Sequence, residues 1–248
     1  MSVTPAVTVL ISTYDRPGFL GRALGSVAAQ TYRDFEVMVV DDCSPDTEAM
    51  QDVLGIWHRH FDSIGIPFTA IRLGQNSGYQ AVPKNIGIQH SNGDFIAYLD
   101  DDNVWLPRHL EALMETILRL DVDMVYGGRR YINDRVGLPT TEGDWVARPY
   151  DLGEIEAKNH IDTSDILHSK GAAYELLRRT GTCWDEDLRR FGDWNLVWRW
   201  GKAGLTAAPV DEILTEYHWH GGNLQLTRKP VEVPLSITPQ EWERIRVQ

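Results

Sequence analysis

The chain has 248 residues, enough for one large α/β domain or two small ones, and with 42% hydrophobic residues it can bury a substantial core. Its formal charge of −12 excludes attraction of polyanions over the whole surface, leaving nucleic acid only a local patch such as Arg129, Arg130, Arg135 and Arg148. Cys43 and Cys183 have no metal or redox spacing and no disulfide is expected; with no leader pattern and no membrane-length apolar run, the expectation is a cytoplasmic protein without an integral membrane segment.

Val7 to Ile11 is a β-branched run suited to a buried parallel strand. The turn Ser12-Thr13-Tyr14-Asp15-Arg16 follows, and Pro17 starts a helix with Leu20, Ala23, Leu24 and Val27 at helical spacing. Phe35 to Val40 is a second strand ending in Asp41-Asp42. A helix around Thr47 to His60 and a strand near Phe68 to Leu73 come next. Asn76-Ser77-Gly78 turns into a helix reaching about His90, and Phe95 to Leu99 forms another strand. This β-α order predicts an α/β fold with a mostly parallel central sheet flanked by helices. Pro107 begins a further helix carrying Leu110, Leu113, Met114 and Ile117. Residues 121 to 165 read as strands and loops, and helices are expected at Gly171 to Thr180 and Trp194 to Lys202. The proline-bearing end reads as a peripheral tail over 226–248. No repeat or linker divides the chain, so 1–225 is expected as a single domain, with halves at 1–103 and 104–225.

In parallel sheets, ligands bind beyond the carboxyl ends of the strands. Three predicted strands end in Ser12-Thr13, Asp41-Asp42 and Asp100-Asp101-Asp102, so their polar ends converge on one edge. Three adjacent carboxylates repel one another unless a cation or donors compensate. A hard divalent ion with oxygen ligands does this and can bridge a diphosphate. The plainer reading is an acidic turn capping the next helix through Asn103.

The stretches Val7 to Pro17, Val40-Asp41-Asp42-Cys43-Ser44 and Gly93-Asp94-Phe95 through Pro107 together resemble glycosyltransferase family 2, with a pattern nearest its spore-coat polysaccharide branch. The resemblance covers roughly residues 5 to 225. It implies the GT-A fold, a Rossmann-like nucleotide-binding half joined to an acceptor half. It also implies donor-nucleotide contacts from Ser12, Tyr14, Asp42, Lys84, Asp100 and Asp101, with Asp41 as a helper. Lys84-Asn85-Ile86-Gly87 resembles the family's basic-Asn-x-Gly helix, although arginine is commoner there and Pro83 is unexpected inside a helix. A solvated lysine is the alternative.

Arg190 to Arg199 resembles the family's acceptor-side segment, which makes Asp193 the expected catalytic base. The alternative is that Asp193 only N-caps the helix burying Leu196, Val197 and Trp200. Near a helix N-terminus Asp193 would remain ionised at neutral pH. Tyr217-His218-Trp219-His220-Gly221-Gly222-Asn223 resembles the Tyr-x-x-His-x-x-(Ser/Asn) ending of many members. There His220, with His218 as the fallback, joins Asp102 in holding Mn2+ or Mg2+. Trp105, Trp194 and His168 are either acceptor-pocket walls or core.

The resemblance implies inverting transfer of a sugar from a UDP- or dTDP-linked donor to an acceptor hydroxyl. A carbohydrate, a secondary metabolite and a modified nucleic-acid base all remain possible acceptors. A nucleotidyltransferase acting on sugar phosphates also pairs carboxylates with a metal, but its glycine-rich phosphate loop is missing. A nicotinamide dehydrogenase would need a glycine-rich first turn, and glycine appears only at Gly18. A non-catalytic nucleotide-sugar-binding relative is a third alternative, opposed by the intact Asp102 and Asp193.

Overall fold

The computed structural model describes residues 4–135, 140–188 and 190–220. The 226–248 tail, Asn223, Gly137 and Pro139 lie outside them. Four parallel strands form one half of the sheet: β1 (Val7–Thr13), β2 (Phe35–Asp41), β3 (Phe68–Arg72) and β4 (Phe95–Asp100). Helices α1 (Pro17–Ala28), α2 (Thr47–Ser63) and α3 (Ala81–His90) make the crossovers. All seven residues of β1 and of β2 are buried, which fits their largely apolar sequences, interrupted within the runs only by Thr8 and Glu36. Val7, Val9 and Ile11 enter the core under α1 and α2, whereas Leu10 points into the second core across the sheet.

The second half is mixed. β5 (Val104–Trp105), α4 (His109–Leu120), β6 (Met124–Asn133), β7 (Thr140–Trp145), α5 (Leu152–Ala157), a 3-10 turn (Thr163–Asp165), β8 (Ile166–Ser169), α6 (Lys170–Thr180), α7 (Gly192–Lys202) and β9 (Ala207–Trp219) follow in order. The sheet runs β3-β2-β1-β4-β8-β6-β9-β5, with β7 paired to β6. β8 is antiparallel to both β4 and β6, while β6 and β9 run parallel. One sheet therefore continues through both halves of the chain.

Local chemistry sets the turns that matter for the site. Pro17 occupies the start of α1, where its missing N–H costs nothing. Pro83 is tolerated for the same reason: it sits in the first turn of α3, where N–H groups have no intrahelical partner. The entry to β4 is clamped by buried Glu36, which accepts from Thr8 Oγ1 (2.6 Å), Asn92 N (2.6 Å) and Asn92 Nδ2 (2.8 Å). Gly93 packs there so tightly that a Cβ would lie 2.5 Å from the Thr8 backbone nitrogen.

Candidate functional site

The parallel half brings the strand ends together as topology requires. Thr13, at the end of β1, donates to Asp101 Oδ2 at 2.7 Å. Arg16 spans the next two carboxylates, 3.2 Å from Asp101 Oδ1 and 3.0 Å from Asp102 Oδ2. Burial pushes Asp101 up to about 7, and the charge of Asp102 adds to the effect against the pull of Arg16 and Thr13. Burial also disfavours ionised Asp102, but the His220 hydrogen bond and the Arg16 charge outweigh it and hold this carboxyl below its usual range. The triad thus carries neighbouring carboxyls with opposite proton affinities.

Asp100 meets Lys84. The Lys84 side chain is fully buried, with Nζ 3.0 Å from Asp100 Oδ1, 2.6 Å from Gln80 Oε1 and 4.4 Å above the Trp184 ring. It is not a solvated surface lysine. Burial raises the Asp100 carboxyl while the Lys84 charge opposes the rise. Ser12 is buried at the same strand end and faces Asp100 in register; Tyr14 is exposed.

Asp42 sits one strand further out and has a structural task. Its carboxylate accepts from Ser77 N (2.9 Å), Ser77 Oγ (2.9 Å) and Asn76 Nδ2 (3.1 Å), pinning the loop before α3. A carboxylate offers about four acceptor positions, so capacity remains for one further donor. Asp41 is committed to structure, taking the Ser44 N–H and hydroxyl and the Arg72 guanidinium at 2.6 Å.

From the other half, Asp193 arrives at the second position of α7, where Phe191 rather than Asp193 holds the cap position. Asn159 Nδ2 donates to Asp193 Oδ2 at 3.0 Å. The expectation that Asp193 stays ionised through the helix terminus is corrected here. Burial raises it to about 7, with Asp162 adding to the shift, and the nearby backbone and Lys84 offset this only in part. Burial and the charges of the acidic basin, Asp162, Asp102, Asp100 and Asp193, hold the Tyr217 hydroxyl protonated.

The two histidines separate cleanly. His220 Nε2 lies 3.1 Å from Asp102 Oδ2, whereas His218 Nδ1 lies 2.8 Å from Asp134 and 3.1 Å from Arg22. Trp105 and His168 are core residues, Trp105 stacked on His109 and His168 bonded to the Tyr98 hydroxyl at 2.7 Å. Trp194 is also buried, its indole bonded to the Ile155 carbonyl at 2.5 Å. None of the three is a pocket wall. The four arginines form no shared patch: Arg129 is buried against Asp165, Arg130 pairs with Asp144, and Arg135 and Arg148 lie over Trp219 and Trp145. Both cysteines are free thiols.

Sequence reading missed Arg16, Asn159, Asp162 and Arg129. Asp162 had a local signal, since Asp162-Thr163-Ser164-Asp165 has the spacing of a capping box, and the structure shows one. Arg16 had none, because its partners are 85 and 86 positions away.

The sequence and the fold both have known relatives. The sequence pattern described as Glycosyl transferase family 2 matches residues 8–179. This chain belongs to glycosyl transferase family 2. The matched stretch holds the Asp100–Asp102 cluster, Lys84, Asp42 and Asp162, and ends before Asp193 and His220. The family 2 chain is 31% identical over 240 residues to the "Putative colanic acid biosynthesis glycosyl transferase WcaA" of Escherichia coli (strain K12), covering 93% of this chain and 78% of that one. It is 39% identical over 120 residues to the "Succinoglycan biosynthesis protein ExoW" of Rhizobium meliloti (strain 1021), covering 47% of this chain and 35% of that protein. The chain thus matches about a third of that relative's length. Among solved structures, S. aureus TarS 1-349 in complex with UDP-GlcNAc superposes with TM-score 0.69 at 20% identity, covering 90% of this chain and 61% of that one. The mannosyltransferase PcManGT from Pyrobaculum calidifontis, in complex with GDP-Man and Mn2+, gives TM-score 0.63 at 19% identity, covering 91% and 59%. These likenesses show the GT-A type fold. No described helix of the family 2 chain is long and apolar enough to cross a membrane.

Proposed function

We propose that the chain transfers a sugar from a nucleoside-diphosphate sugar to an acceptor hydroxyl with inversion at the anomeric carbon. The observation that carries this, in a chain of family 2, is the place of Asp193 at the second position of α7, with its Oδ2 held by Asn159 Nδ2 at 3.0 Å. One carboxylate suffices for a single displacement. The acceptor oxygen bonds to the anomeric carbon, the bond from that carbon to the diphosphate oxygen breaks, and the acceptor proton passes to Asp193. The nucleoside diphosphate departs with the bonding pair. Asn159 orients the base by donating to its Oδ2.

Asp102 and His220 fit a divalent cation, Mn2+ or Mg2+, because an ionised carboxylate and an imidazole already converge at 3.1 Å. Among the described residues no group of three or more His, Cys, Asp or Glu is disposed as a complete site. Two protein donors suit ions that keep water and phosphate oxygens as their other ligands. When bound, the ion supplies countercharge for the departing diphosphate. The Mn2+ in the PcManGT complex supports this reading. Uridine or thymidine donors are favoured because Asp42 retains capacity for the N3–H that adenine lacks. The TarS complex with UDP-GlcNAc supports the uridine choice.

The test is a thermal-shift screen of nucleoside diphosphates with and without Mn2+ or Mg2+, followed by turnover with the sugar-linked forms. Uridine or thymidine diphosphate should stabilise the protein more than adenosine diphosphate does, and only with the cation. Chelation and Asp102→Ala should each abolish turnover. Undiminished turnover in excess chelator would remove the metal; equal stabilisation by adenosine and uridine diphosphates would remove Asp42 as the base reader.

A further inference from the structure

The sheet face that leaves the acidic basin carries aromatic rings that the transfer chemistry does not use. On β6 and β9, Arg129 pairs with Thr215 and Tyr131 with Tyr217, so these four side chains share one face. The 3-10 turn covers its inner end: Arg129 binds Asp165 at 3.0 Å and the His160 carbonyl at 2.7 Å, and Thr215 reaches the Ser164 carbonyl at 3.3 Å. Beyond that turn, Tyr131 and Tyr217 lie with centroids 5.5 Å apart and planes tilted by 59°. Both rings remain half-buried. Across from Tyr131 on β7 stands Gly143, where an added Cβ would meet nothing within 4 Å. Among the described residues, nothing fills the space beside Gly143.

A second observation concerns the neighbours of Arg129. Trp145 pairs with Arg129 across β6 and β7, and its indole nitrogen is buried without a hydrogen-bond partner. Both ring nitrogens of His160, whose carbonyl binds Arg129, are likewise buried and unpartnered, and His160 is 7% exposed. Buried donors left unpaired cost free energy and in native proteins are usually met by water or a ligand. Two neighbouring half-buried aromatic rings suit a saccharide, whose C–H face packs on a ring.

We propose that the Tyr217–Tyr131 face, flanked by Trp145, is the shelf that holds an oligosaccharide acceptor, with the reacting sugar at Tyr217 and the next sugar on Tyr131. This rests on the transferase reading above. The four carboxylates around Tyr217 disfavour a nucleic-acid acceptor, whose phosphates they would repel.

The test is binding of the full chain to a printed array of neutral and acidic oligosaccharides, with uridine diphosphate affinity measured in parallel by calorimetry. A neutral oligosaccharide of two or more sugars should bind. Tyr131→Ala should weaken that binding at least tenfold, Tyr131→Phe should restore most of it, and neither should change uridine diphosphate affinity or the melting temperature by more than a degree or two. Saturation-transfer NMR should show sugar C–H protons in contact with the protein. Uridine diphosphate binding with no oligosaccharide captured, or a Tyr131→Ala variant of undiminished glycan affinity, would overturn the shelf alone. Loss of uridine diphosphate binding in the unaltered chain would instead overturn the donor reading.

Discussion

A single carboxyl governs how the reaction should respond to pH. Asp193 must be ionised to accept a proton, and burial has raised it to about 7. Below that pH it is protonated and unable to act; above it the base is present. Transfer should therefore rise about tenfold per pH unit on the acid side and level off above 7, since a one-unit deficit leaves about a tenth of the base ionised. Asp193→Asn should lower transfer ~100- to 10,000-fold, the usual effect of removing a positioned base. Uridine diphosphate affinity should stay near that of the unaltered protein. Stopped transfer assays across pH 5.5 to 8.5, with product anomeric coupling read by proton NMR, check both statements. A pH-independent rate or a retained anomeric configuration would refute the role given to Asp193.

Two elements, α3 and the entry to β4, are held by contacts that cannot relax cheaply. Lys84 is fully buried, and Asp100 is its ionic partner. Removing one member of a buried pair costs about 3–5 kcal/mol because the other is left uncompensated. Lys84→Met should fall at the lower end, since Asp100 is a quarter exposed and can take up a proton. The loss, measured by urea denaturation, should shrink as the pH is lowered from 7 to 5, because a protonated Asp100 no longer needs the lysine. A loss that did not depend on pH would point to lost packing alone. At the start of β4, Gly93→Ala would drive a methyl into the Thr8 backbone, which cannot swing aside as a side chain can. A cost of about 1–3 kcal/mol is expected, the usual range for overpacking, and the same denaturation experiment measures it.

Across the whole molecule, stability should be graded along the sheet. β1 is paired on both sides and every residue in it is buried; β3 is an edge strand and much of it is exposed. Amides in β1 should exchange with deuterium only through global unfolding, while those of β3 should exchange through local opening. Residue-resolved hydrogen exchange tests this. Equal protection of the two strands would mean that the sheet opens only as a unit.

The order of elements through β4 and the helix α4 are legible in the sequence because their signals are local: β-branched runs, helical spacing of apolar residues, and prolines at helix starts; the two-residue strand β5 between them is too short to carry one. The Asp100-Asp101-Asp102 cluster is legible for the same reason, since three carboxylates after an apolar strand are conspicuous without any partner in view. Periodicity does not reveal partners far apart in the chain. His220 meets Asp102 across 118 positions, and only the course of β9 past β5 and β6 decides that His220 rather than His218 does so. Arg16 bridges Asp101 and Asp102 because β1 pairs with β4, a fact of topology rather than of composition. The burial of Lys84 and the consignment of Trp105 and His168 to the core also depend on what packs against them. The same holds for the proton affinity of Asp193. From sequence, a helix N-terminus favours its ionised form; in the folded chain, loss of water and the charge of Asp162 oppose that preference and raise the carboxyl, because desolvation acts only once distant segments have closed around the group.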